Sequence, residues 1–153
     1  MTIDYKTYIE SDTWKARRVA ALKRSTRTTL KIGSYSSQKP CCEACGKPGL
    51  SHKNSRSKLD YRERQFRVDG SNGLEVHHLH YRTLGSETPD DLIVLCTDTI
   101  HWHDWNERYL NTRPTERHLL KPAGKRVGCH ERTHDDASFR RYVENIAAER
   151  ARV

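Results

Sequence analysis

The stretch Leu74–Trp105, LEVHHLHYRTLGSETPDDLIVLCTDTIHWHDW, decides the fold of this chain. Its first six residues alternate between apolar and polar side chains, as a half-buried β-strand does. A polar loop with Gly85 and Pro89 follows, and the apolar run 92–96 predicts a second, buried strand. A helix is expected to start at about Thr99. The stretch therefore predicts two strands joined by a loop and followed by a helix.

Histidines are concentrated in this stretch. His77 and His78 lie on the first strand, and His101 and His103 lie near the start of the predicted helix. If the loop folds back, these imidazoles form a cluster that can hold a divalent metal and leave one ring free. Adjacent strand residues point to opposite faces, so one ion cannot bind His77 and His78 equivalently. Neutral imidazole accepts a proton near physiological pH, so one histidine can activate water while the other binds the ion.

Three motifs together point to a known family. They are Glu75-Val76-His77-His78, the run 90–96 with a histidine soon after it, and Cys42-x-x-Cys45-Gly46. With them the chain resembles an HNH endonuclease with its ββα-metal (His-Me) finger, over roughly residues 5 to 110. The resemblance implies an α+β fold, with a small ββα-metal core between N-terminal helices and a C-terminal helix. It also implies metal-dependent hydrolysis of DNA phosphodiester bonds, with double-stranded DNA as the partner.

The resemblance assigns roles to the strand residues. It implies that His77 binds the catalytic ion and that His78 is the general base that activates water. The middle residue of the family motif is here Asp91, which is expected to tie down the loop and orient the base. Mg²⁺, Mn²⁺, Ni²⁺ and Zn²⁺ are all compatible with such a site.

The resemblance also implies a metal ligand on the helix, a little over twenty residues beyond the base. His101 lies 23 residues after His78 and fits this spacing. Many relatives carry a further histidine one helical turn later, where this chain has Trp105. His103 and Asp104 are the local substitutes, and Asp104 shares a helix face with His101.

Cysteines predict a second, structural metal site. Cys42 and Cys45 have the spacing of a zinc half-site, and Gly46 permits the tight turn after them. The resemblance implies a second half-site that begins at Cys96, but Thr99 stands where its other cysteine should be. Two later residues are candidates for the fourth ligand, Cys129 and His130. The alternative is a degraded zinc knuckle held by packing alone.

The charge of the chain favours a nucleic-acid partner. Lys and Arg number 28 against 20 Asp and Glu, which gives a net charge of +8 and a pI near 9.4. A basic segment between 51 and 72 is either a DNA-gripping surface or a solvated loop. Its candidate DNA-binding residues are Arg56, Lys58, Arg62, Arg64 and Arg67. The sequence has no long apolar run, so no membrane partner is expected, and its odd cysteine count favours a reducing compartment, the cytoplasm.

Three segments organise the chain. Residues 1–40 are expected to hold N-terminal helices and a connector, and residues 41–110 the nuclease core with its knuckle and basic insertion. Residues 111–153 form an extension, irregular from 111 to 135 and helical from 137 to 150. The rival interpretation of the whole chain is a non-catalytic zinc-binding module that binds nucleic acid. A zinc hydrolase acting on another substrate is disfavoured because the His-Glu-x-x-His motif is absent.

Overall fold

The computed structural model describes residues 2–30, 36–50, 66, 68–98, 100, 113–116 and 127–153. Helices and strands are mixed within these residues, which confirms the predicted α+β class. Among the described residues, no helix is long and apolar enough to span a membrane.

Two helices open the described chain, α1 (Tyr5–Ile9) and α2 (Asp12–Arg24). Both lie within residues 1–40, where N-terminal helices were expected, and α2 begins with a side-chain cap. Ser11 is the cap, because its hydroxyl accepts a hydrogen bond from the Trp14 amide at 3.1 Å. Trp14 and Leu22 are both buried, as expected of two apolar residues on one helix face.

The strands form two separate antiparallel pairs. β1 (Thr26–Leu30) pairs with β2 (Ser36–Pro40), and β3 (Leu74–His78) pairs with β4 (Leu92–Cys96). The second pair is the one predicted from the alternating run and the apolar run. His77 lies opposite Ile93 in this pair.

Two helices close the chain, α3 (Cys129–Asp135) and α4 (Ala137–Ala151). The second confirms the predicted terminal helix, and the Asp136 carboxylate caps it by accepting from two amides at 3.0 and 3.1 Å. The prediction that residues 111–135 are irregular is wrong for α3. Its sequence, CHERTHD, has no apolar stripe, so periodicity gave no signal. Seven residues are too few for a stable isolated helix, so packing against β4 and α4 must hold it.

The core is continuous across the three predicted segments. Trp14, Ile93 and Val143 belong to one cluster of buried side chains. All five residues of β4 are buried because α2 and α3 both pack on this strand. The sequence of β4 is therefore an unbroken apolar run rather than an alternating one.

The loop between β3 and β4 ends in a short 3₁₀ turn, Pro89–Asp91. The Asp91 carboxylate accepts from the Thr88 amide at 2.8 Å and from the Thr88 hydroxyl at 3.1 Å. The bond from the Thr88 amide is the carboxylate half of a capping box at the start of this turn. Both bonds give Asp91 the contacts expected of a residue that ties down this loop.

Candidate metal centres

Four cysteines converge at the edge of the β3–β4 pair. Cys42 and Cys45 come from the turn after β2, Cys96 from the end of β4 and Cys129 from the start of α3. Their sulfur atoms all lie within 4.8 Å of one another, and the Cys45 and Cys96 sulfurs are 3.6 Å apart. A tetrahedral zinc with Zn–S bonds of about 2.3 Å requires sulfurs about 3.8 Å apart. The cluster could therefore hold a metal ion, and it fits a four-thiolate site.

The thiols of this cluster act on one another electrostatically. Hydrogen bonding among them, with Cys129 first, lowers the pKa of Cys42 well below its usual range. The same partner is the main cause that lowers the pKa of Cys45 to about 7. In return, the interaction with Cys42 raises the pKa of Cys129 far above its ordinary value. Negative charge thus collects on the Cys42–Cys45 turn, where a cation would neutralise it.

Cys129 is the fourth member of the cysteine cluster. The sequence had left two candidates for this position, Cys129 and His130. The structure brings the three predicted cysteines together. Cys129 stands in for the cysteine that the family motif would have at position 99, where this chain has a threonine. Gly46 has φ +77°, the left-handed conformation that the turn after the second cysteine requires.

Three histidines form a second cluster beside the first. His77 comes from β3, while His130 and His134 lie one turn apart on α3 and share a face. One ring nitrogen from each lies within 4.8 Å of the others, and the ring centroids are 4.9 to 5.4 Å apart. Three imidazoles from two rigid elements are a donor set suited to a transition-metal ion. This cluster could hold a divalent metal with coordination positions left open.

The surroundings of His77 keep it in the form that binds metal. Burial, followed by repulsion from His130 and His134, lowers the pKa of His77 to about 4. Its ring is therefore neutral at neutral pH, with a lone pair available.

A cavity of about 280 Å³ opens beside the histidine cluster. His77, His78, His134 and Arg140 contribute to its wall. The Arg140 guanidinium is oriented by two backbone carbonyls, of Thr133 at 3.1 Å and of His134 at 3.2 Å. A positive side chain, imidazole rings that could bind a metal, and open space for a ligand therefore meet in one place.

His78 has different surroundings from its neighbour His77. Its side chain is only 2% exposed, and its Nε2 lies 3.0 Å from the Glu87 carboxylate. The indole of Trp14 stacks on its ring, with the centroids 4.5 Å apart. His78 is not a member of the metal-ligating cluster, although it reaches the same cavity. Adjacent residues of β3 thus have different surroundings, as residues on opposite faces of a strand do.

The Asp91 carboxylate contacts Thr88 in the loop and the imidazole of His80. Besides Thr88, it pairs with His80 at 3.2 Å. The carboxylate that contacts the predicted base is that of Glu87.

Several predicted site residues lie outside the described residues. They are His101, His103 and Asp104 of the predicted helix, and the basic set Arg56, Lys58, Arg62, Arg64 and Arg67.

The sequence motifs gave no prediction for His134 and offered His130 only as a candidate fourth ligand of the cysteine site. The signal was present as Cys129-His130-x-x-x-His134, a cysteine followed by two histidines one helical turn apart. It lies 33 residues after Cys96, in a region predicted to be irregular.

No family model, curated protein or solved structure matches this chain.

Proposed function

We propose that the protein is a metal-dependent endonuclease of the HNH type, which hydrolyses phosphodiester bonds of double-stranded DNA. One observation carries the proposal. A strand histidine and two helix histidines converge beside a cavity, and a fourth histidine outside the cluster reaches the same cavity. A purely structural metal site has no use for that fourth ring.

The proposed catalytic ion is held by His77, His130 and His134. In this ligand set, His130 and His134 take the roles that the sequence resemblance gave to His101 and a residue one turn later. Their spacing of four residues on one helix face supports the assignment. A divalent cation bound there supplies charge neutralisation at the phosphate and at the leaving oxygen.

In the proposed reaction, His78 takes a proton from the attacking water. The resulting hydroxide forms a bond to phosphorus while the bond between phosphorus and the leaving oxygen breaks. The leaving oxygen acquires a proton from solvent. Arg140 borders the same cavity, so its positive charge is placed to attract the phosphate.

The four-cysteine cluster is proposed to hold a structural zinc. Cys129 and His130 are consecutive residues at the start of α3, so one short helix belongs to both centres. A zinc at the cysteines would fix the start of the helix that carries two catalytic ligands.

The proposed substrate and location follow from charge and thiol chemistry. A net charge of +8 favours a polyanion, and every phosphate contact strengthens binding. The cysteines are free thiols, and thiolate metal sites persist in a reducing compartment, so we place the protein in the cytoplasm.

The test is cleavage of supercoiled plasmid with Mg²⁺, Mn²⁺, Ni²⁺ or Zn²⁺, each with and without EDTA. We expect nicked or linear product with at least one metal and none with EDTA. His78→Ala should lower the rate at least 100-fold while DNA affinity stays within about threefold, because general-base catalysis contributes about 10²–10⁴. Tyr142→Ala, at a half-exposed residue of α4, is the control and should cleave normally.

Two results would overturn the proposal. If the wild type binds DNA without cutting it under any of these metals, the chain is a binding module. If His78→Ala cuts within tenfold of the wild type, this histidine is not the base.

A further inference from the structure

A buried carboxylate stands outside both metal clusters. The side chain of Glu87 is fully buried, and it contacts three side chains, two of which come from the distant N-terminal helices. One carboxylate oxygen accepts from the Tyr8 hydroxyl at 2.6 Å and pairs with Arg17. The other lies 3.0 Å from Nε2 of His78. The two oxygens of the Glu87 carboxylate therefore have separate partners, and one of them contacts His78.

We infer that Glu87 is a positioning residue for His78. It fixes the ring with hydrogen on Nε2, so that Nδ1 is the nitrogen that accepts the proton from water. The inference rests on the proposed function, because it specifies how the proposed base of that reaction is oriented.

The state of the Glu87 carboxylate determines which ring nitrogen carries hydrogen. Burial raises the pKa of Glu87, but hydrogen bonds from Tyr8, from backbone amides and from His78 bring it below its usual value. The carboxylate is thus ionised and can only accept. The contact at Nε2 of His78, 3.0 Å away, must then be a donation from the ring, so the accepting role falls to Nδ1.

Stacking restrains the same ring in the other directions. Trp14 lies almost parallel to it, at an interplanar angle of 17°. Tyr81 lies against it with the centroids 5.5 Å apart. With the ring plane set by aromatic contacts and one nitrogen held by Glu87, the remaining freedom of His78 is small. A base held in one orientation avoids the rate loss that even small misplacement causes.

The N-terminal helices supply the outer part of this arrangement. Tyr8 lies on α1, and Arg17 and Trp14 lie on α2. Arg17 donates to the Tyr8 hydroxyl at 2.6 Å as well as pairing with Glu87. The two helices therefore complete the surroundings of the base as well as covering the core.

The first measurement is the tautomer of His78 in the zinc-loaded wild-type protein. Long-range ¹H–¹⁵N spectra of ¹⁵N-histidine-labelled protein report which ring nitrogen carries hydrogen, and His78→Gln assigns the signal. Hydrogen on Nε2 is expected at neutral pH. Hydrogen on Nδ1 would overturn the inference, and this reading does not depend on whether the protein cleaves DNA.

The second measurement is kinetic. Glu87→Gln should lower kcat about 10- to 100-fold, the usual effect of losing an orienting partner, and leave KM for DNA within about twofold. The double variant His78→Ala/Glu87→Gln should be no slower than His78→Ala alone, because Glu87 acts through His78. Additive losses, or a change confined to KM, would overturn the inference.

Tyr8→Phe separates positioning from folding. It removes one partner of Glu87 but keeps the contact between Glu87 and His78, so kcat is expected to fall less than fivefold. Circular dichroism and metal content are measured for each variant. If Glu87→Gln does not fold, the tautomer of His78 in the wild-type protein still tests whether Glu87 orients this ring. If no variant affects activity because the wild type is inactive, the proposed function has failed while the tautomer result stands separately.

Discussion

Cys129→Ser tests whether the two metal centres are coupled through α3. The substitution removes one of four thiolates and adds no bulk. Binding of a structural zinc is worth about 10–16 kcal/mol. Divided equally over four ligands, this is about 2.5–4 kcal/mol for each thiolate. At about 2–4 °C for each kcal/mol, the melting temperature should fall by roughly 5–16 °C.

The same substitution should weaken the histidine site. Cys129 and His130 are adjacent, and a seven-residue helix does not hold its place without tertiary contacts. We expect affinity for Mn²⁺ at the histidines to fall about 10- to 100-fold, as it does when an orienting contact is lost.

The assay combines three readouts on the purified variant: zinc content, thermal unfolding by circular dichroism, and calorimetric titration with Mn²⁺. Cys41→Ser is the matched control, since Cys41 is a buried neighbour that is not part of the cluster. The control should keep its zinc and its Mn²⁺ affinity. The reasoning is refuted if Cys129→Ser retains one tightly bound zinc per chain with an unchanged melting temperature.

Three further outcomes are expected. The pKa of His77 is about 4 in the folded protein, below its unfolded value near 6.5. The free energy of unfolding of the metal-free protein should therefore fall by up to about 3 kcal/mol as pH is lowered from 6.5 to 4. An unfolding free energy that stays constant over that window would contradict this. Glu43→Gln weakens a part-buried pairing with two arginines and should cost about 1–3 kcal/mol in urea denaturation, whereas a cost below about 0.5 would show the pairing to be unimportant. Gly73→Ala places a methyl group 2.4 Å from Ile100 at φ +76° and should destabilise more than Gly46→Ala, which meets open space at φ +77°; equal losses would mean that the contact relaxes freely.

The sequence was sufficient for the elements with strong local signals. The alternation of β3, the apolar run of β4 and the Ser11 cap each leave a recognisable local pattern. The apolar spacing of Phe139, Val143 and Ile146 in α4 does the same.

The parts that escaped prediction depend on distant partners. α3 is a polar heptapeptide whose stability comes from what it packs against, so its own residues carry no periodic signal. The place of His130 and His134 beside His77 could not be foreseen without this helix. Glu87 gave no signal because its partners Tyr8 and Arg17 lie 79 and 70 residues away. Such contacts exist only once the chain has folded.

The most direct test of the central claim is the rate of plasmid cleavage by His134→Ala as Mn²⁺ is increased, beside the wild type. His134 has no role in the cysteine cluster, so its loss acts on the histidine site alone. We predict that half-maximal cleavage by the variant needs at least tenfold more Mn²⁺, with a maximal rate reduced at least 100-fold. A variant that cuts with the wild-type rate and the wild-type Mn²⁺ requirement would contradict the account.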